Sequence, residues 1–409
     1  MQIKPILAAL RRHKAGTLLI AMQIALTLAI VCNALFIIQE RLAHLSEPTG
    51  IDEANIFVVK NEWVGAPDTI KVDAMMREDL QVLRQVPGVQ DVTPSNSYPL
   101  RGNGWDDAVK LNPEQLQDTS GATIYFADEH FIDTLGLKLT AGRNFRAEEI
   151  GRMDMRYKLA PPVVIITKAL ADKLFPDGNA VGKTIYLIGG PGTVVGVVDL
   201  LQAQSVDRWA SGFAYRSVII PERLAMSLGS FYIVRTKPGQ RDAAMRAAYT
   251  ALFAHNPRRV INDDDGMLSF TEVRSRAYER DRGMAILMGV ISVVLLAITA
   301  AGIVGLTSFW VGQRRKQIGV RRALGATRDD ILRYFMTENL LISFGGVLLG
   351  AFLAIAINLW LVTRFEMHRL SMVYLLIGVV ILLLLGQGAV LAPAMRASRV
   401  PPVEATRSV

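Results

Sequence analysis

Apolar residues are spread along this chain in two patterns. Four windows are almost free of charge: Ala15 to Gln39, Gly283 to Gln313, Asn339 to Thr363 and Leu370 to Met395. Each is longer than the roughly 20 residues a helix needs to cross a hydrocarbon core. Spans are therefore expected at 15–39, 284–311, 339–363 and 370–393. The first apolar run exceeds the roughly 7 to 15 residues of a signal-peptide core, and no small-x-small cleavage site follows before Arg41. It is expected to stay as an anchor.

The second pattern occupies 40–270, where short apolar runs alternate with turn residues and helical periods. This length and mixture predict a folded domain rather than a loop. Ile56 to Lys60 reads as strand, Val72 to Val86 as a helix stopped by Pro87 and Gly88, and Val89 as the start of another strand. A second such unit is expected from strands at Arg216 to Ile220 and Phe231 to Thr236 and a helix at Arg241 to His255. The two would close a split β-α-β lobe. Ala122 to Asp199 reads as an inserted lobe, with strands at Val163 to Thr167, Thr184 to Ile188 and Thr193 to Val198 and a helix at Lys168 to Phe175. The charged segment 271–283, with Glu272, Arg276, Glu279, Arg280 and Arg282, contains no breaker before Gly283. It is expected to run as a stalk straight into the second span. The predicted fold class is a membrane protein: four transmembrane α-helices, with a large α+β domain of two lobes between the first and second.

Composition agrees with this and changes one point. The 409 residues are 51% hydrophobic and 20% charged, with a mean hydropathy of +0.29, too apolar for an ordinary soluble chain. The net charge of +8 first suggests nucleic acid or anionic lipid. Its placement decides otherwise. Lys4, Arg11, Arg12 and Lys14, then Arg314, Arg315, Lys316, Arg321, Arg322, Arg328 and Arg333, then Arg396, Arg399 and Arg407, all fall on one side of a four-span topology. Only Asp329, Asp330, Glu338 and Glu404 oppose them there. By the positive-inside rule that side is the cytoplasm, so both termini, at 1–14 and 394–409, are expected inside and the large domain outside. Nucleic acid is not expected as a partner. A single cysteine, Cys32, excludes a disulfide framework, and five scattered histidines leave little for a zinc site. No metal site and no catalytic residue are expected.

Two motifs invite chemistry and fail on inspection. Gly182-Lys183-Thr184 lacks the earlier glycine of a phosphate loop, since position 177 is Asp, and it follows a helix instead of opening one. Ile261 to Glu272 carries Asp263, Asp265, Gly266 and Glu272 at calcium-loop offsets, but the first ligand position is Ile261. An Asp-rich turn is the better reading. Within the spans, small residues recur every four positions: Thr17, Ala21, Ala25, Ala29 and Asn33 on the first, Ala297, Ala301 and Gly305 on the second, Gly346 and Gly350 on the third. Such faces permit close helix contact. Ala21, Ala25, Ala29, Ala301 and Gly305 are expected in a seam between subunits, with packing inside one subunit as the alternative. No span carries an ionisable residue in its interior, which disfavours proton coupling.

The densest signal is the segment from Gly312 to Arg328, within the expected cytoplasmic region 312–338. It combines a basic face with Ile318, Val320, Ala323 and Leu324, and Gly325 is placed to end a helix with Arg321 and Arg322 in its last turn. Such a helix suits a groove on a partner protein or an anionic lipid surface.

Here the chain resembles the MacB-type and FtsX-like family of ABC transporter permeases. The resemblance lies in Gln313 to Leu324 followed by Gly325-Ala326-Thr327-Arg328 and Glu338, in Leu391 to Ala405, and in Val163 to Phe175 with Val181 to Thr184 and Val194 to Val197. It implies a permease homodimer, or a pairing with a homologous permease, in which a coupling helix docks on a nucleotide-binding subunit. Arg314, Arg315, Lys316, Ile318, Gly319, Arg321, Arg322, Leu324 and Gly325 would contact that ATPase, and 271–283 would transmit motion. The sequence contains no Walker A motif, so ATP and magnesium are expected on a separate polypeptide and none in this chain. The resemblance further implies a bacterial inner membrane, export of a hydrophobic compound or peptide, and a periplasmic adaptor with an outer-membrane duct. Lipoprotein release is the first alternative, and a transmembrane sensor the second.

Overall fold

The computed structural model of the chain describes residues 14–65, 68–153, 161–206, 208–226, 230–365 and 369–401. The expected N-terminal basic segment, apart from Lys14, lies outside these residues, as do 366–368 of the short loop 364–369 and the tail beyond 401. The chain divides into two compact units: residues 47–279, and a helical unit built from the segments before and after it.

In the helical unit, α1 (Lys14–Leu45) is the core of the bundle: 56% of its most apolar window is buried. The other long helices are α7 (Glu279–Gln313), α9 (Arg328–Phe365) and α10 (Met372–Ser398), with the short α8 (Arg315–Ala323) between α7 and α9. Lipid offers no hydrophobic drive between helices, so contact depends on small residues and polar clips. Both are present. A methyl group at Gly346 would stand 2.8 Å from the Ala21 carbonyl oxygen, and one at Gly350 2.8 Å from that of Ala25, so α1 and α9 approach backbone to backbone. Asn33 Nδ2 donates to Ala29 O (2.9 Å) and to Ala354 O (3.2 Å), and Asn339 Nδ2 donates to Gly386 O (3.1 Å). The hold on α7 is lighter, with Gln23 Nε2 donating to Ile298 O and the Thr27 and Thr299 hydroxyls 2.7 Å apart. Only 17% of its apolar window is buried.

The interspan unit contains β1 (Ile56–Trp63), α2 (Thr69–Arg84), β2 (Val89–Ser95), β3 (Trp105–Val109), β4 (Ser120–Phe126), α3 (Phe131–Leu135), β5 (Leu139–Gly142) and β6 (Gly151–Met153). Then follow β7 (Val163–Thr167), α4 (Lys168–Leu174), β8 (Thr184–Leu187), β9 (Gly190–Val198), β10 (Ser217–Ile220), β11 (Glu222–Leu224), β12 (Ser230–Thr236), α5 (Arg241–His255), β13 (Arg259–Val260), β14 (Met267–Ser269) and α6 (Phe270–Ala277). One sheet runs β13-β1-β12-β2, with β14 also on β1. Antiparallel β12 lies between β1 and β2, which is the split β-α-β arrangement. Phe57, Val72, Met76, Leu80, Tyr232, Val234, Ala248 and Leu252 share its core with α2 and α5. The second sheet runs β3-β4-β10-β7-β9-β5, with β8 on β9.

The structure departs from the sequence expectation in one strand. Ser217–Ile220 pairs in parallel with β4 and antiparallel with β7, so it belongs to the inserted lobe and not to the split lobe. The strand that follows α5 in the split lobe is β13, which pairs with β1. The inserted lobe's sheet consequently draws on 105–220, wider than the expected 122–199.

Where the lobes meet, Phe126 N donates to Asn96 Oδ1 (2.9 Å), Ser95 Oγ to Phe126 O (2.8 Å) and Thr93 Oγ1 to Asp128 Oδ1 (2.6 Å). Arg84, Asp91, Glu129 and His130 surround Asp128. Burial pushes its carboxyl up to about 6, against the opposing pull of Thr93 and His130. A carboxyl with a folded pKa above its unfolded value favours the fold when protonated. That contribution is complete below a pH of about 4 and disappears as pH rises through 6. Acidifying from pH 7 to pH 5 is therefore expected to raise the melting temperature of the wild-type chain, relative to Asp128→Asn, by on the order of a few °C. Equal pH slopes in the two proteins would contradict the assignment.

Candidate functional site: the basic helix α8 and its clamps

Three local devices build the segment from Gly312 to Arg328. Helix α7 stops at Arg314, whose amide still bonds Trp310 O (3.0 Å) and whose carbonyl accepts from Ile318 N (2.9 Å), so α8 leaves α7 through a bend of one residue. At the far end Ala326 N reaches Arg321 O (3.1 Å) and Gly325 N reaches Arg322 O (3.1 Å), the paired bonds of a Schellman stop. Gly325 takes φ +99°, a backbone that a side chain would strain. Thr327 then opens α9 through a capping box: its amide and hydroxyl donate to Asp330 Oδ2 at 2.9 and 2.6 Å, and Asp330 N returns a bond to its Oγ1. The sequence Gly-Ala-Thr-Arg is thus a stop and a start in four residues.

The charged face divides in two. Arg314 is almost buried and places Nη1 at 3.0 and 3.1 Å from the two oxygens of Glu338, itself 3% exposed. Arg322 Nη1 donates to Ser398 O and Val400 O, both at 3.0 Å, at the end of α10. Arg321 lies over the Tyr334 ring at 4.8 Å. Ile318 and Gly319 are buried, Ile318 in the cluster that holds Ile331, Phe335, Ala397 and Val400. Arg315, Lys316, Val320, Leu324 and Gly325 face outward, and Leu324 is 83% exposed. The nine residues assigned to a partner by resemblance therefore serve two roles. Arg314, Ile318 and Arg322 fasten the helix to α9 and α10, and Gly319 is buried, so within the chain these four are turned away from the outward face. Val320, absent from that set, lies one turn from both Lys316 and Leu324. Its spacing from them was the available signal.

The segment 271–283 is not one helix. Tyr278, at φ −103° and ψ 12°, separates α6 from α7, although no Gly or Pro marks the break. Glu272 accepts from the Ser269 amide and hydroxyl (2.8 and 2.7 Å) and so caps α6, which is also its use in place of a calcium loop. Arg276, Glu279, Arg280 and Arg282 are exposed. The residues that tie this segment down are others. Arg274 forms a fork with Glu53 (2.6 and 2.7 Å), and Asp281 accepts from Arg41 on α1 (2.8 Å).

The small-residue faces also divide. Ala25 and Ala29 are wholly buried and Ala21 is half-buried, because α9 covers them through Gly346 and Gly350. Their expected place between subunits is corrected: they form the seam inside one subunit. Ala297, Ala301 and Gly305 are exposed on α7.

Comparison with known proteins agrees with this architecture. Residues 17–252 match the family description "MacB-like periplasmic core domain", and 289–402 match "FtsX-like permease C-terminal". The chain belongs to the MacB-like, FtsX-like family of ABC permeases. The permease is 26% identical over 332 residues to the macrolide export ATP-binding/permease protein MacB of Chromobacterium violaceum, covering 78% of this chain and 49% of that one. It is 24% identical over 300 residues to the ABC transporter permease YvrN of Bacillus subtilis, covering 71% of each. The permease spans about half the length of the MacB relatives it matches. Among solved structures, the periplasmic region of MacB from Actinobacillus actinomycetemcomitans aligns with a TM-score of 0.35 at 15% identity, covering 57% of this chain and 97% of that one. Four apolar helices and membership of this family make the permease a multi-pass membrane protein.

Proposed function

We propose that this chain is the non-catalytic membrane subunit of an ABC machine. A separate ATPase, holding ATP and magnesium, docks on α8, and its motion passes through the spans to the interspan domain. The observation that carries this reading is the division of α8 into a fastened face and a free one. A helix held at both ends by Arg314 and Arg322 moves with α9 and α10, while Lys316, Val320 and Leu324 supply the basic and apolar mixture suited to a groove on a partner. The bases around the helix ends support a bacterial inner-membrane orientation with both termini inside. Exposed Ala297, Ala301 and Gly305 on the lightly packed α7 support a homodimer or a pairing with a homologous permease. The client we favour is a hydrophobic compound or peptide, exported with a periplasmic adaptor and an outer-membrane duct.

Co-purification in mild detergent tests the docking step. The double variant Val320→Asp, Leu324→Asp is expected to reduce ATPase recovery at least about tenfold, since apolar anchors at an interface each contribute on the order of 1–2 kcal/mol. Membrane insertion and monodispersity should be unchanged, because both side chains are exposed and lie outside the buried cluster of the bundle. Full recovery of the ATPase would sink the assignment.

A further inference from the structure

The inserted lobe carries a cleft that the coupling mechanism does not use. Its floor is the outer face of β3 and β4, where Ala108 lies opposite Gly121 and Asp106 opposite Thr123. The absence of a side chain at Gly121 makes the space: a methyl group there would stand 3.1 Å from the Phe213 ring. Trp209 and Phe213, on the short 3-10 helix Arg208–Phe213, form one wall with ring centroids 5.8 Å apart. Ile188, beyond the end of β8, forms the other. The cleft is shallow and wide open to solvent, with a volume of about 310 Å³, at the small end of ligand sites. Trp209 is 59% exposed and Ile188 79%, a large apolar exposure for two residues of a folded domain surrounded by water.

The polar side of the cleft is acidic. Asp106 accepts from Thr123 Oγ1 (2.7 Å), and Asp107 accepts from Ala108 N (2.7 Å) and Ile188 N (3.0 Å). Among the described side chains neither carboxylate is in an ion pair, and those that line the cleft include no base. Partial desolvation pushes both carboxyls above their ordinary range, and Asp118 adds to this at Asp107. Their charge is thus incompletely neutralised beside an open aromatic wall. Asp107 is buried and accepts from two backbone amides, while Asp106 is exposed and has an oxygen not used by Thr123.

We propose that this cleft binds a small organic ammonium ion carrying a flat apolar body. The body lies over Ala108 and Gly121 against Trp209 and Phe213, and the cation sits by Asp106. An aromatic face and a carboxylate attract the same positive group, and the apolar body repays desolvation of the wall. A neutral ligand of the same shape would leave the carboxylate without its countercharge, and an anion would be repelled. The inference is independent of the ATPase reading, because it uses no residue of α8 and no motion of the spans.

The test uses the full chain in nanodiscs of zwitterionic lipid, with trimethyl(2-naphthylmethyl)ammonium as the probe in equilibrium dialysis. Saturable binding of one cation per chain is expected. Asp106→Asn, which keeps the acceptor for Thr123, should weaken it about tenfold, as should Trp209→Ala. Neutral 2-naphthylmethanol should bind about tenfold more weakly than the cation and be indifferent to Asp106→Asn. Unchanged affinity in either variant, equal binding of the neutral analogue, or no saturable binding would overturn the proposal. So would protection of Trp209 from an aqueous quencher by a second copy of the chain, since that would assign the wall to a protein contact.

Discussion

Replacing Arg259 with Ala is expected to destabilise the interspan domain by about 3–5 kcal/mol, the cost of leaving a buried charge without its partner. Arg259 is wholly buried, and Asp79 beside it is 2% exposed. All three guanidinium nitrogens donate: Nη2 to Asp79 Oδ1 (2.7 Å), Nη1 to Asp79 Oδ2 (3.0 Å) and Asn61 Oδ1 (2.7 Å), and Nε to Asn256 O (2.8 Å). The Tyr232 hydroxyl also donates to Asp79 Oδ2 (2.8 Å). Burial and the Asp79 charge push its phenol far up, so it stays a donor at any working pH. Truncating Arg259 leaves the carboxylate with that phenol as its remaining side-chain donor. Arg259→Lys should fail almost as badly, because an ammonium cannot reproduce the planar fork. Arg259→Met with Asp79→Leu should recover most of the loss, since removing both charges removes the desolvation penalty as well. Urea unfolding of the three variants separates these outcomes. By contrast Arg77, 59% exposed in its pair with Asp73, should cost about 1 kcal/mol or less when changed to Ala.

Glu338→Ala should release α8. The Arg314 side chain is 12% exposed and the Glu338 side chain 3%, so the pair is screened far less than a surface bridge. Losing the carboxylate strands the guanidinium against the Trp310 ring, 6.0 Å away. The amides of 315–323 should then exchange with solvent at least about tenfold faster than in the wild-type chain, because local opening no longer breaks an ion pair. Arg314→Met with Glu338→Leu should restore slow exchange through apolar packing. Unchanged exchange in Glu338→Ala would mean that Ile318 and the Arg322 bonds hold the helix by themselves.

Much of this architecture is legible in the residue pattern. Charge-free windows mark the four long helices, and Pro87, Gly88 and Pro257 bracket the two helices of the split lobe. Residues that act through backbone or through distant chain are not legible in this way. Ser217–Ile220 is an ordinary apolar strand in sequence, and nothing local states which sheet it joins. The break at Tyr278 has no glycine or proline to announce it. Spacing of four shows that Ala21, Ala25 and Ala29 need a close neighbour, but only Gly346 and Gly350 across the bundle decide that the neighbour is in the same subunit. Arg322 is held by two carbonyl oxygens, acceptors that every residue owns. Its role could not be separated from that of Lys316 by residue type, and burial alone separates them.

The central claim is that α8 presents one face to an ATPase while the other holds it to α9 and α10. Site-specific photo-crosslinking in intact cells tests this directly, with a benzophenone side chain placed at Val320, at Leu324 or at Ile318 in turn. Adducts with an ATP-binding protein from positions 320 and 324, and none from 318, are the predicted result. Adducts from 318, or their absence from both outward positions while the chain is inserted and folded, would contradict the account.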